Sequence, residues 1–205
     1  MLSDGIFAIA TTLAALEMRI PSGISDPVSA VAAIWRPLIG YGISFAVIAV
    51  FWLSSRDLFA RLVKVTRPVT GLTLLLLWLV ALIPVVVSGI SDSATDSWFR
   101  LYASVMAVAG LVNAMLWTNA CFTPGVMRPE VSKFYRWNRT LGSLALPLMF
   151  LPIMLLSKDT AFDFILPWVI VVALARRRLL PRYLRRKFPE ERGGEPLDAE
   201  AIGSP

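Results

Sequence analysis

Residues 3–20 read SDGIFAIATTLAALEMRI, an apolar run opened by Ser3 and Asp4 and closed by Pro21. The spacing predicts a helix, about 27 Å long at about 1.5 Å per residue, against about 30 Å for a bilayer's hydrocarbon core. Wound at about 100° per residue, it gathers Ile9, Leu13, Leu16 and Ile20 into one stripe, with Thr12 at the edge. Asp4 and Thr11 fall on roughly the opposite side. Periodicity alone leaves two uses for such a stripe. It packs against lipid or another helix, or it lines a narrow pore. Ser3 and Asp4 read first as a helix cap, satisfying free N–H groups at the positive end of the helix dipole.

The rest of the chain decides what kind of protein this helix belongs to. Of 205 residues, 57% are hydrophobic, and the mean hydropathy is +0.68. A soluble domain sits near about 45–50% apolar, and here the excess lies in long, nearly uncharged runs, the mark of an integral membrane protein. Met1–Asp4 carries no Lys or Arg, unlike a cleaved leader, so the first helix is expected to remain in the mature protein. The chain has no His and a single cysteine, Cys121. Cys/His zinc motifs and an intrachain disulfide are excluded, as is the commonest general base. Polar residues in or near the spans (Ser44, Ser88, Ser104, Asn113, Thr118, Asn119) form no nucleophile–base or paired-carboxylate group on any helix face. No catalytic residue, metal site or cofactor is expected, and the two asparagines read as interhelical hydrogen-bonders.

The apolar runs predict an all-α, polytopic fold with six spans, at about 3–20, 31–56, 69–90, 98–122, 138–157 and 161–175. Ser97 is the expected cap of the fourth, and Pro147 and Pro152 are expected to bend the fifth. Most of the 20 basic residues follow even-numbered spans: Arg56, Arg61, Lys64 and Arg67; Arg128, Lys133, Arg136 and Arg139; and the run from Arg176 to Arg192. The positive-inside rule therefore puts both termini in the cytoplasm of a cell whose inner membrane holds the protein. Residues 1–188 form one transmembrane domain. Residues 189–205, polar and rich in Gly and Pro, are an expected disordered cytoplasmic tail, and the basic run before them anchors to anionic headgroups.

Three stretches carry a family resemblance. The first is Ser3, Asp4, Gly5, Phe7, Ala8, Ile9, Ala10, Thr12, Leu13, Leu16 and Glu17. The second is Tyr41, Ser44, Phe45, Ile48, Phe51 and Trp52, followed by Leu58 and Phe59. The third is LTLLLLWLVALIP, residues 72–84. Together they resemble the transmembrane protein 175 family, the lysosomal potassium channel and its prokaryotic relatives, over roughly the first 90 residues. The resemblance implies a homotetramer of six-span subunits around a central pore lined by the first helix. It implies that Ile9 forms the pore constriction, with Leu13 and Leu16 as further layers and Thr12 at the edge. Ser3 and Asp4 then anchor the pore helix against Trp52. The implied function is weakly selective K⁺ permeation through an apolar constriction. The implied partners are other copies of the chain and membrane lipid, with no nucleic acid. Two departures stand out. The family's Arg four residues before the motif's Phe has no counterpart, and Leu2 replaces that Phe. The family's Trp-x-x-His-His reads Trp52-Leu53-Ser54-Ser55-Arg56, which removes those histidines as pH sensors. The alternatives from other classes are a small-substrate secondary transporter and a non-conducting membrane scaffold.

Overall fold

The computed structural model describes residues 2–16, 27–92, 95–155, 167–168 and 170–187. The expected placements of Glu17, Ile20, Pro21 and the 189–205 tail lie outside them. In chain order the helices are α1 (Leu2–Leu16), α2 (Pro27–Ala60), α3 (Arg67–Asp92), α4 (Asp96–Phe122), α5 (Lys133–Ser143), α6 (Ala145–Leu155) and α7 (Leu180–Lys187). No strand occurs among the described residues. Stretches of α2, α3 and α4 are long and apolar enough to cross a membrane.

Helix α4 is the centre of the packing. It lies against α3, α5 and α6, while α1 packs on α2 and α3. Small residues let α4 serve so many neighbours: Ala103, Ala107, Ala109, Gly110, Ala114 and Ala120 are all buried. In a membrane, where lipid tails are as apolar as leucine, close backbone approach is a main source of helix affinity. At Gly110 the approach is so close that an added Cβ would lie 2.6 Å from Pro147 Cδ. Helix α1 uses the same device. It buries only Phe7, Ala10 and Ala14, at i, i+3 and i+7 on one face.

Helix ends depart from expectation for identifiable reasons. Helix α4 starts at Asp96 with Thr95 at the cap position, where the Thr95 carbonyl accepts from Trp98 N at 3.2 Å and Phe99 N at 3.3 Å. Ser97, the expected cap, is inside the helix. The expected fifth span is two helices rather than one bent helix, and the break falls at Leu144. Pro147 has no N–H for the Ser143 carbonyl and its ring collides there, so α5 ends at Ser143 and Pro147 sits in the first turn of α6. Pro152 similarly frees the Leu148 carbonyl, which accepts instead from the Trp168 indole at 2.8 Å. That is how membrane helices tolerate proline. The helical residues 170–174 run on through a π-helical turn, Ala175–Leu179, into α7, the extension of the short sixth span into the basic run that the sequence allows. Leu180 N donates to Ala175 O, a widening that makes room for Pro181 immediately after it.

The loops after α2 and α4 are joined by backbone. Leu62 and Met127 form an isolated antiparallel bridge, with Val63 N to Val126 O at 2.9 Å and Arg128 N to Arg61 O at 3.0 Å. The two basic loops expected on one side of the membrane are thus in direct contact.

Candidate functional site

The residues of the expected pore stripe share a face of α1 that the described residues leave uncovered. Ile9 is 59% exposed, Leu13 44% and Leu16 79%, and Thr12 is exposed between them. The Thr12 hydroxyl donates within the helix, its Oγ1 lying 2.9 Å from Ile9 O and 3.1 Å from Ala8 O. The Thr11 hydroxyl likewise donates to Phe7 O. Both donors are spent on backbone, so the uncovered face is essentially aliphatic.

The foot of α1 is polar and held. Trp52, on α2, donates its indole N–H to Asp4 Oδ1 at 2.9 Å. Ser3, Asp4 and Trp52, expected to meet, line one cleft of about 370 Å³ together with Phe7, Ser55, Arg56 and Phe59. Asp4 is therefore more than a cap: its carboxylate bonds across to the next helix. The Arg56 guanidinium lies over the Trp52 ring, 5.4 Å from its centroid. In place of the family's two histidines the chain thus offers a cation stacked on the same tryptophan and a buried hydroxyl, Ser55.

A second polar cluster, not anticipated from the sequence, ties α2 to α4 and α5. Asp57 accepts from Arg61 Nε at 3.0 Å, from the Tyr135 hydroxyl at 2.7 Å and from Arg139. Arg139 Nε also donates to the Tyr135 oxygen at 3.0 Å, and the Arg61 guanidinium sits 4.2 Å from the centroid of the Tyr135 ring. Burial pushes the Tyr135 phenol up to about 12, so it remains a neutral donor to Asp57 at any physiological pH. One turn deeper, Trp117 Nε1 donates to Ser54 Oγ at 2.8 Å and Ser54 donates to Asn113 Oδ1 at 3.0 Å. Asn113 is the interhelical hydrogen-bonder its position suggests. Arg136 completes the end of α4. It reaches Cys121 O at 3.1 Å, Val131 O at 3.2 Å and Arg128 O at 3.3 Å, placing a cation at the negative end of the helix dipole. The sequence held one signal for this cluster: Asp57 is an acid among basic loop residues, four positions before Arg61.

Fold and site define an α-helical integral membrane protein. Comparison with known proteins makes it specific. The family model for the endosomal/lysosomal potassium channel TMEM175 matches residues 1–84, the region that carries the motif resemblance. A protein of Streptomyces collinus described as a potassium channel is 32% identical over 158 residues, covering 71% of this chain and 76% of that protein. Another described as a potassium channel, from Chamaesiphon minutus, is 27% identical over 169 residues, covering 75% and 83%. The crystal structure of a lysosomal potassium-selective channel TMEM175 homologue from Chamaesiphon minutus superposes with a TM-score of 0.64 at 24% identity, covering 86% of this chain and 95% of the other. This chain belongs to the TMEM175 family.

Proposed function

We infer that this chain is a potassium channel whose pore is built by α1 from several copies, four in the arrangement that the resemblance implies. Ile9 forms the narrowest ring, Leu13 and Leu16 line further layers, and Thr12 borders them. Ser3, Asp4 and Trp52 fix the foot of the helix. Both termini face the cytoplasm and the protein resides in the inner membrane, as the loop charges suggest. The observation that carries this reading is the uncovered aliphatic face of α1, on a helix inside the region matched by the family model.

The physics of such a pore follows from its lining. A ring of isoleucines offers no oxygen to replace an ion's hydration shell. Passage costs partial dehydration, which a large, loosely hydrated cation bears better than a small one. K⁺ is therefore favoured over Na⁺ by a modest factor, and wetting of the ring is itself a gate. Replacing Ile9 with Asn supplies polar groups at the constriction. In planar bilayers, Ile9→Asn is expected to raise unitary conductance and weaken K⁺/Na⁺ discrimination. Wild-type currents from that variant would remove Ile9 as the filter. Saturable flux without unitary current steps would favour alternating access over a continuous pore. Chemical crosslinking is expected to give a ladder that stops at four.

A further inference from the structure

We propose that Arg139 and Arg176 together bind a phosphate that carries no cation of its own, the chemistry of a phosphatidylglycerol headgroup or of soluble glycerol phosphate. Three observations point there. First, the two side chains come together from distant parts of the chain. Arg176, in the π-helical turn, lies against α5, where a Cβ added at Gly142 would be 3.5 Å from its Nε. Gly142 follows Arg139 by three residues, on the same face of α5. Partial burial and the nearby charge of Arg139 hold Arg176 below the usual arginine range. Second, the chain supplies no counter-charge. Arg176 makes no hydrogen bond or ion pair among the described residues. Asp57, the carboxylate of the neighbouring cluster, is taken up by Arg61, Tyr135 and Arg139. Arg139 spends its Nε on Tyr135 and its Nη2 on Asp57, which leaves Nη1 without a partner among the described residues. Third, the place suits a headgroup. Helix α5 carries Lys133, Arg136 and Arg139, whereas α6 after it is wholly apolar. Residues 170–174 are apolar, whereas 176–178 are all arginine. Both segments change from apolar to basic where Arg139 and Arg176 meet, as membrane helices do at the bilayer surface.

The charges select the ligand. Two like charges held side by side oppose each other, and an anion shared between them turns that opposition into attraction. Guanidinium binds phosphate through paired N–H donors. The ammonium of an ethanolamine or choline headgroup would enter a field set also by Arg177 and Arg178, both exposed in the same turn. A glycerol headgroup brings no cation, and soluble glycerol phosphate carries the same groups. Such a site differs from the attraction that any exposed arginine has for an anionic leaflet, because it needs one guanidinium from α5 and one from the π-helical turn at a fixed separation.

The test reads binding and no ion flux, so it stands or falls separately from the conduction reading. Purified protein is mixed with equal amounts of palmitoyl-oleoyl phosphatidylglycerol, phosphatidylethanolamine and phosphatidylcholine, and retained lipid is counted by native mass spectrometry. Wild type is expected to retain the glycerol lipid about fivefold over the other two, the scale of one partly exposed charge-assisted contact. Arg176→Gln should abolish that preference. Arg176 has no bond within the described residues to lose, so this variant should unfold no more readily than wild type in lipid-free detergent. Arg176→Lys, which keeps the charge, should keep most of the preference. Arg178→Gln removes the same charge from the same turn and should leave the preference within about a factor of two. A second arm adds soluble glycerol phosphate to lipid-depleted protein. An adduct that Arg176→Gln loses supports the same site with a free occupant. Equal retention of the three lipids together with no such adduct overturns the proposal. So does an Arg178→Gln protein that loses as much as Arg176→Gln, which marks diffuse attraction to the whole basic run. An Arg176→Gln protein of normal oligomeric size that keeps the wild-type preference overturns it as well.

Discussion

Asp57→Asn tests whether the cluster joining α2 to α5 stabilises the bundle. The change keeps the size of the side chain and removes its charge. In the wild type, Oδ1 accepts from Arg61 Nε, and Oδ2 accepts from Tyr135 and Arg139. An asparagine has one carbonyl oxygen. If it takes the Oδ2 position, its NH2 faces the Arg61 N–H, donor against donor. The Arg61 pair is an i, i+4 surface contact worth about 0.3–0.5 kcal/mol. The other two bonds pass from charge-assisted to neutral acceptance, a loss of about 1 kcal/mol each. The side chains are partly wet, 20% exposed for Asp57 and 25% for Arg61, with 34% for Arg139. That lies between an exposed pair, worth under about 1 kcal/mol, and a buried one, where removing a partner costs about 3–5 kcal/mol. The expected loss is about 2 kcal/mol. Reversible unfolding in mixed dodecyl maltoside and sodium dodecyl sulfate measures it. A cycle with Tyr135→Phe should return a coupling of about 1 kcal/mol. An Asp57→Asn protein within about 0.5 kcal/mol of wild type, or zero coupling, refutes the assignment of this cluster as a structural tie.

Two further expectations use the same unfolding assay. Gly110→Ala puts a Cβ 2.6 Å from Pro147 Cδ and 2.9 Å from Pro147 N, so α6 must shift, at about 1–3 kcal/mol. Gly71→Ala, with nothing within 4 Å, should be neutral or slightly stabilising and serves as the matched control. Tyr135 has its phenol raised from 10.0 to about 12 by burial, so between those values the native state holds a proton that the unfolded state has lost. Stability should therefore be insensitive to this group below pH 10 and fall as pH rises toward 12, with Tyr135→Phe lacking that part of the slope.

What the sequence revealed, and what it did not, follows from the kind of signal each feature leaves. The residues alone made Asp4 a helix cap; its contact with Trp52 was expected through the family resemblance, which set Ser3 and Asp4 as the anchor of the first helix. Phe7, Ala10 and Ala14 fit the helical period, so the buried face of α1 is implicit in residues 3–20. The break at Leu144 was less accessible. Pro147 and Pro152 announce a defect, but where the helix yields depends on which carbonyl another group can satisfy. Trp168 supplies that partner for Leu148 O, and twenty residues of sequence separate the two. The Asp57 cluster escaped because its members span residues 57 to 139 and only the Arg61 pair leaves a local pattern. Arg136, in a loop read simply as positive, spends its guanidinium on three backbone carbonyls.

Exposure by itself does not separate a pore face from a lipid face, because both are aliphatic and both lack a partner within one chain. Leu74 and Trp78 on α3 are as uncovered as Ile9 and Leu13. On the proposed pore reading, the distinction comes from how each helix is held. The long α3 is flanked by α1 and α4 and needs no polar anchor to keep its place. Helix α1 is short and buries two alanines and one phenylalanine, little apolar area for a helix that must resist rotation. A turn of about 100° would replace Ile9 by a neighbour on its exposed face. One directional bond from Trp52 to Asp4, near the end of the helix, opposes that rotation more effectively than alanine packing does. A helix whose rotational setting decides which side chain meets an ion needs such a bond, whereas a helix facing lipid does not. On the proposed pore reading, the polar foot and the aliphatic stripe of α1 work as one device, the first setting the angle at which the second is presented.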